Sequence, residues 1–222
     1  MKNKYTLLIG LNSELAQFFL LNTTLNFENL ILVTHSNKPS RKLDLILKKY
    51  SKLNVLIYEA DLKKPTGYLA LRKYLESFNI ARCFYFSAIN QKDSNIRLNS
   101  IDEFYNLNSF APIKLVYDDL FKKCHFILIG SLLSFVNFRD RFNYGHSKSI
   151  LNFNYKLMKN KPAILNFGPV DSKNTNLPKF LTLSKNNLVI FLDKIAKKNI
   201  RGIFIHPFFW KIGLPLLRFI SR

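Results

Sequence analysis

The sequence predicts an α/β domain built on one parallel sheet, wound with helices on both faces. Two observations carry this. Short apolar runs alternate with longer stretches of helical periodicity along the chain. No internal repeat, linker or low-complexity segment divides it, so residues 1–222 are expected to form a single domain. Such alternation implies parallel strands joined by right-handed crossovers, a Rossmann-type arrangement of about seven strands.

The elements follow in order. Tyr5-Thr-Leu-Leu-Ile9 is apolar and stops at Gly10, which makes 5–9 the first strand. Ser13 stands where an N-cap would open a helix over 13–21, ahead of Glu14. Strand 30–34 is nearly all aliphatic, helix 41–50 is amphipathic, and strand 54–58 follows. Pro65, with Thr66 and Gly67 behind it, marks entry to a helix over 68–78. Strand 82–86, a long helix over 101–121 and strand 125–130 come next. Helix 143–158, strand 163–167, helix 187–198 and strand 202–205 complete the series.

Charge and cysteine content narrow the classes. The net charge of +20 would suit nucleic acid or an anionic membrane. The lysines are scattered, however, and no nucleic-acid motif is present, so nucleic-acid binding is set aside. Cys83 and Cys124 lie beside strands; two cysteines make neither a disulfide framework nor a metal cluster, and buried free thiols in a reducing cytoplasm are expected. The opening apolar run is too short for a signal peptide. No segment approaches the ~20 apolar residues of a membrane span.

The chemistry concentrates in Ser131 and Tyr144-Gly-His-Ser-Lys148. Tyr144 and Lys148 are four apart on a helix, hence on one face. A phenol titrates near ~10 and is a poor acid or base until a neighbouring cation stabilises its phenolate. Lys148 is placed to supply that cation, and Ser131, at a strand end, to hold a carbonyl or hydroxyl oxygen. The spacing alone is common in so basic a chain, and Tyr68/Arg72 and Tyr155/Lys159 share it. Only Tyr144 has a serine on a preceding strand end. His146 falls off the shared face and reads as packing or surface.

This set resembles the Ser, Tyr-x-x-x-Lys constellation of the short-chain dehydrogenase/reductase family. The resemblance implies a cofactor half of about 1–100 and a catalytic and substrate half of about 101–222. It implies an NAD(P)(H)-dependent oxidoreductase that interconverts a carbonyl and a secondary alcohol by hydride transfer. Tyr144 would be general acid/base, Lys148 would lower its pKa and bond the nicotinamide ribose, and Ser131 would orient the carbonyl. Asn108 aligns with an Asn that supports a proton-relay water, with Asn106 as runner-up.

For the cofactor, the turn Gly10-Leu-Asn-Ser-Glu-Leu-Ala16 resembles the family's glycine-rich phosphate loop, with Gly10, Asn12, Ser13 and Leu15 as contacts. Glu14 replaces a glycine there and must point away from a pyrophosphate. No acid follows the second strand, while Ser36, Lys38 and Arg41 suit a 2′-phosphate, so NADP(H) is favoured over NAD(H). Asp61 and Leu62 match the pair that contacts adenine. Ala88 matches the fourth-strand motif, in which Ile89 replaces a glycine. Gly168, Val170 and Ser172 match the segment beside the nicotinamide. The family also implies a homo-oligomer through the helices bearing Asn108 and Tyr144.

The resemblance implies a small carbonyl or alcohol compound as substrate. A loose likeness to reductases of polyprenyl-phosphate keto-sugars suggests a lipid- or nucleotide-linked sugar. The aromatic, basic C-terminal tail, residues 206–222, is expected to pack on the core or a subunit partner, with peripheral membrane contact at the inner face as the alternative. A nucleotide-sensing regulator without turnover and a membrane-surface binding module are the competing classes.

Overall fold

The computed structural model describes residues 3–36, 41–136, 139–170 and 182–206. Its seven strands form one wholly parallel sheet: β1 (Lys4–Ile9), β2 (Asn29–Thr34), β3 (Asn54–Glu59), β4 (Asn79–Tyr85), β5 (His125–Ile129), β6 (Ala163–Phe167) and β7 (Gly202–His206). Their order is β3-β2-β1-β4-β5-β6-β7. The expected doubly wound fold is what the chain adopts.

Successive strand residues face opposite sides, so each strand feeds two cores. Leu8, Leu30, Leu32 and Phe84 pack against α1 (Glu14–Asn22) and α7 (Lys185–Lys197) through Phe19, Leu20, Leu188 and Leu192. Leu7, Ile9, Val33, Tyr85 and Leu128 pack on the other face. There they meet Leu71 of α3 (Pro65–Leu75), Leu115 of α5 (Ala111–Tyr117) and Leu151 of α6 (Phe142–Asn154). A strand covered on both faces has no polar alternation, which is why its run reads as continuous apolar sequence. The amphipathic α2 (Arg41–Lys49) adds Ile46 to the first core.

Two local expectations need correction. The long helix predicted over 101–121 is interrupted. α4 (Ile101–Tyr105) passes through a π turn, Asn106–Phe110, before α5 begins. Pro112 has no N–H to give the carbonyl of Asn108 four residues back, and a π turn absorbs the missing bond. Ser13 does precede α1, but its side chain makes no capping bond. Pro65 opens α3 as predicted from its missing N–H. Both cysteines are buried free thiols, as expected.

β1 lies between β2 and β4, so the winding reverses there and the strand ends diverge into a crevice. Gly10, His35, Ala60 and Phe86 each follow a strand C-terminus around that point.

Candidate active site

A cavity of about 260 Å³ opens at the crevice, lined among others by Gly10, Asn12, Ser13, Asp61, Leu62 and Ala88. Gly10 has φ +99°, and a Cβ there would fall 2.6 Å from the Ser87 backbone nitrogen. Only glycine allows the β1 turn to close on the end of β4. The Thr34 hydroxyl bonds the Asn12 carboxamide and lies 2.6 Å from the Ser36 carbonyl, which holds the ends of β1 and β2 together. Gly67 does the same for Asp61: a Cβ would come 2.0 Å from the Asp61 carbonyl oxygen, so α3 rests directly on that turn.

Not every expected cofactor residue meets the cavity. Leu15 packs against the core instead. Ser36 is outside the lining, its N–H bonded to Thr34 Oγ1 at 3.1 Å. Gly168 and Val170 follow β6, with Val170 bridged to Leu183. Lys38, Ser172 and the tail from 207 onward lie outside the described residues. Sequence reasoning missed Thr34, His35, Lys63, Ser87 and Leu107, which also line the cavity. Position at a strand end or within a few residues after it was the signal that could have found the first four.

Ser131, Tyr144 and Lys148 converge beyond β5, all buried. α6 carries Tyr144 close because Gly145 lets the helix touch the Leu132–Phe135 turn; a Cβ on Gly145 would lie 2.5 Å from the Leu133 carbonyl oxygen. Ser131 is held from below: its N–H donates to Asn166 Oδ1 at 3.0 Å. Gly130 has no side chain in that path, where a Cβ would sit 2.2 Å from the same oxygen. Asn166 Nδ2 donates to Asn152 Oδ1 at 3.0 Å, so a part-buried amide pair links β6 to α6.

Lys148 Nζ donates to the Ile129 carbonyl at 2.9 Å and lies 6.0 Å from the centre of the Tyr144 ring. Burial lowers its pKa to about 7. Burial also raises the Tyr144 pKa, opposed by hydrogen bonding with Ser131 and by the charge of Arg141. The sequence assigned the lowering of that pKa to Lys148. In the structure Ser131 and Arg141 pull it down, and burial outweighs them.

Asn108 is fully buried and braces the site. Its Oδ1 accepts the Ile89 N–H at 2.8 Å, while Nδ2 donates to the Ile89 carbonyl at 3.0 Å and to Ser147 Oγ at 3.2 Å. Ile89 lines the cavity and Ser147 belongs to α6, so Asn108 fastens the cavity wall to the helix bearing Tyr144 and Lys148. His146 is exposed, against Tyr105 at 2.9 Å.

Glu14 turns to an ion pair with Lys185, at 2.5 Å. Among the described residues, no cluster of His, Cys, Asp and Glu could hold a metal, and no helix is long and apolar enough to cross a membrane.

By sequence, no family model and no curated protein matches the chain. Solved structures match it closely in shape. A short-chain dehydrogenase from Sphingobium yanoikuyae in complex with NADPH has a TM-score of 0.72 at 16% identity, over 98% of this chain and 94% of that one. A 7beta-hydroxysteroid dehydrogenase has a TM-score of 0.75 at 14% identity, over 96% and 91%. An alcohol dehydrogenase from the archaeon Thermococcus sibiricus, complexed with 5-hydroxy-NADP, has a TM-score of 0.73 at 15% identity, over 91% and 95%. At such identities the likeness concerns architecture, and on it the chain has the doubly wound fold of the short-chain dehydrogenases/reductases.

Proposed function

We propose that this chain is an NAD(P)(H)-dependent oxidoreductase of the short-chain dehydrogenase/reductase type, interconverting a carbonyl and a secondary alcohol. One observation supports it above the rest. A serine hydroxyl, a phenol and a lysine, all buried, meet at one strand end and are tied through Asn108 to a nucleotide-sized cavity. Buried lysines are rare without a task.

The cavity residues suit the adenosine and diphosphate half of a dinucleotide. Gly10 and Ser87 let backbone come close, Asp61 and Leu62 stand at the adenine end, and α1 presents its N-terminus. The bound nicotinamide would supply or accept the hydride. Ser131 orients the substrate oxygen and Tyr144 exchanges its proton at the phenol oxygen. Lys148, once charged, steadies the phenolate electrostatically. Asn108 keeps α6 and the cavity wall in register. NADP(H) is favoured by the absence of an acid after β2 and by Ser36, Lys38 and Arg41.

The substrate we favour is a sugar ketone on a lipid or nucleotide carrier, taken up by a homo-oligomer. Titration with NADPH and NADH, followed by nicotinamide fluorescence, tests the cofactor site, with tighter NADPH binding expected. Screening ketones and keto-sugars against wild type and Tyr144→Phe then tests the chemistry. Binding of neither nucleotide at millimolar concentration removes the proposal.

A further inference from the structure

We infer that Lys185 belongs to the cofactor site as a diphosphate-binding cation, held at the phosphate turn by Glu14. This rests on the dinucleotide reading above. Glu14 is the first residue of α1, in the turn where a diphosphate would lie. An unpaired carboxylate there would repel it. Instead, Lys185 Nζ donates to Glu14 Oε1 at 2.5 Å, although 171 residues separate the two.

The placement of Lys185 is built, not casual. It opens α7, whose N-cap is Ser184, with the Asn187 N–H donating to Ser184 Oγ at 3.1 Å. Just before it, buried Leu183 bridges Val170, and the Leu183 N–H donates to the Pro169 carbonyl at 2.9 Å. The start of α7 is therefore anchored to the end of β6, and Lys185 is carried from there to Glu14 at the start of α1. Its ammonium also lies 5.8 Å from the centre of the Phe18 ring on α1.

The pair is partly in water, the side chains being 23% and 61% exposed. Exposed ion pairs are weak. A diphosphate, with two charges and several acceptor oxygens, outcompetes one carboxylate for the same ammonium. Glu14 thus keeps the cation close until the stronger anion takes it. A turn that retains one of the family's three glycines, and so offers less backbone, gains a side-chain donor in exchange.

The test is NADPH titration of the full chain by fluorescence, with Lys185→Ala, Lys185→Arg, Glu14→Gln and the Glu14→Gln/Lys185→Ala double variant. Lys185→Ala should weaken NADPH binding about tenfold, as for one charge-assisted hydrogen bond. Lys185→Arg should stay near wild type. The loss should persist in the Glu14→Gln background, and adenosine, which has no phosphate, should compete equally well with all variants. If the loss vanishes once Glu14 is neutral, Lys185 only cancels that charge and the inference falls. Unchanged NADPH affinity in Lys185→Ala also overturns it, leaving the oxidoreductase proposal standing. Wild type that binds no NADPH ends both.

Discussion

Lys148 donates to the backbone carbonyl of Ile129 at 2.9 Å, and burial holds its pKa at about 7. Unfolded, the same ammonium would titrate near ~10.4. Between those values the unfolded chain binds more protons than the native one, so stability rises with pH across that window. Below about 7 the full cost of burying the charge is present. Lys148→Met should therefore stabilise the fold, more at pH 6 than at pH 9, by a difference on the order of 2 kcal/mol. Urea denaturation at the two pH values measures it, and an equal effect at both would contradict a buried, depressed lysine.

Tyr144→Phe removes the proton-carrying oxygen and little volume. Turnover of any ketone accepted by the wild type should fall by about 10²–10⁴-fold, with NADPH affinity within about twofold of wild type. Single-turnover absorbance at the nicotinamide band separates the two effects.

Gly10→Ala demands a left-handed φ of an L residue and drives a Cβ to 2.6 Å from the Ser87 nitrogen. The end of β1 must move away from β4. A stability loss of about 1–3 kcal/mol is expected, with NADPH affinity reduced at least tenfold by fluorescence titration.

Gly145→Ala meets backbone, not a yielding side chain, at Leu133. α6 would be pushed off the Leu132–Phe135 turn, at about 1–3 kcal/mol. Because the displacement separates Tyr144 from Ser131, kcat should fall while NADPH affinity holds. A drop in thermal midpoint with unchanged kcat would show that the close approach serves packing alone.

Asn108→Leu strips the Ile89 N–H and carbonyl and the Ser147 hydroxyl of their shared partner. A loss of about 2–4 kcal/mol by chemical denaturation is expected, chiefly from the part-buried Ile89 N–H and carbonyl, since the Ser147 hydroxyl keeps its bond to the Tyr144 carbonyl.

The order of elements was legible because both-face burial leaves continuous apolar strands and helix-period spacers, and neither pattern depends on partners far away. Strand positions 82–86 and 163–167 could be read that way. The break at Asn106–Phe110 was not, although Pro112 announced it, because a proline in a helical pattern signals a kink without its form. Likewise Thr34 and Ser87 gave no motif; they matter only because two strand ends meet.

By itself the sequence determined the alternation that makes a parallel sheet, the four-residue spacing that sets Tyr144 and Lys148 on one face, and the serine one element earlier. All three are local periodicities, written in neighbouring residues. Tertiary structure alone decided where Glu14 points, which groups pull on the Tyr144 proton, and that Asn108 braces Ile89 and Ser147. These depend on residues brought together across the sheet, and on burial, which changes what a charge costs; neither is a property of any stretch of chain read alone.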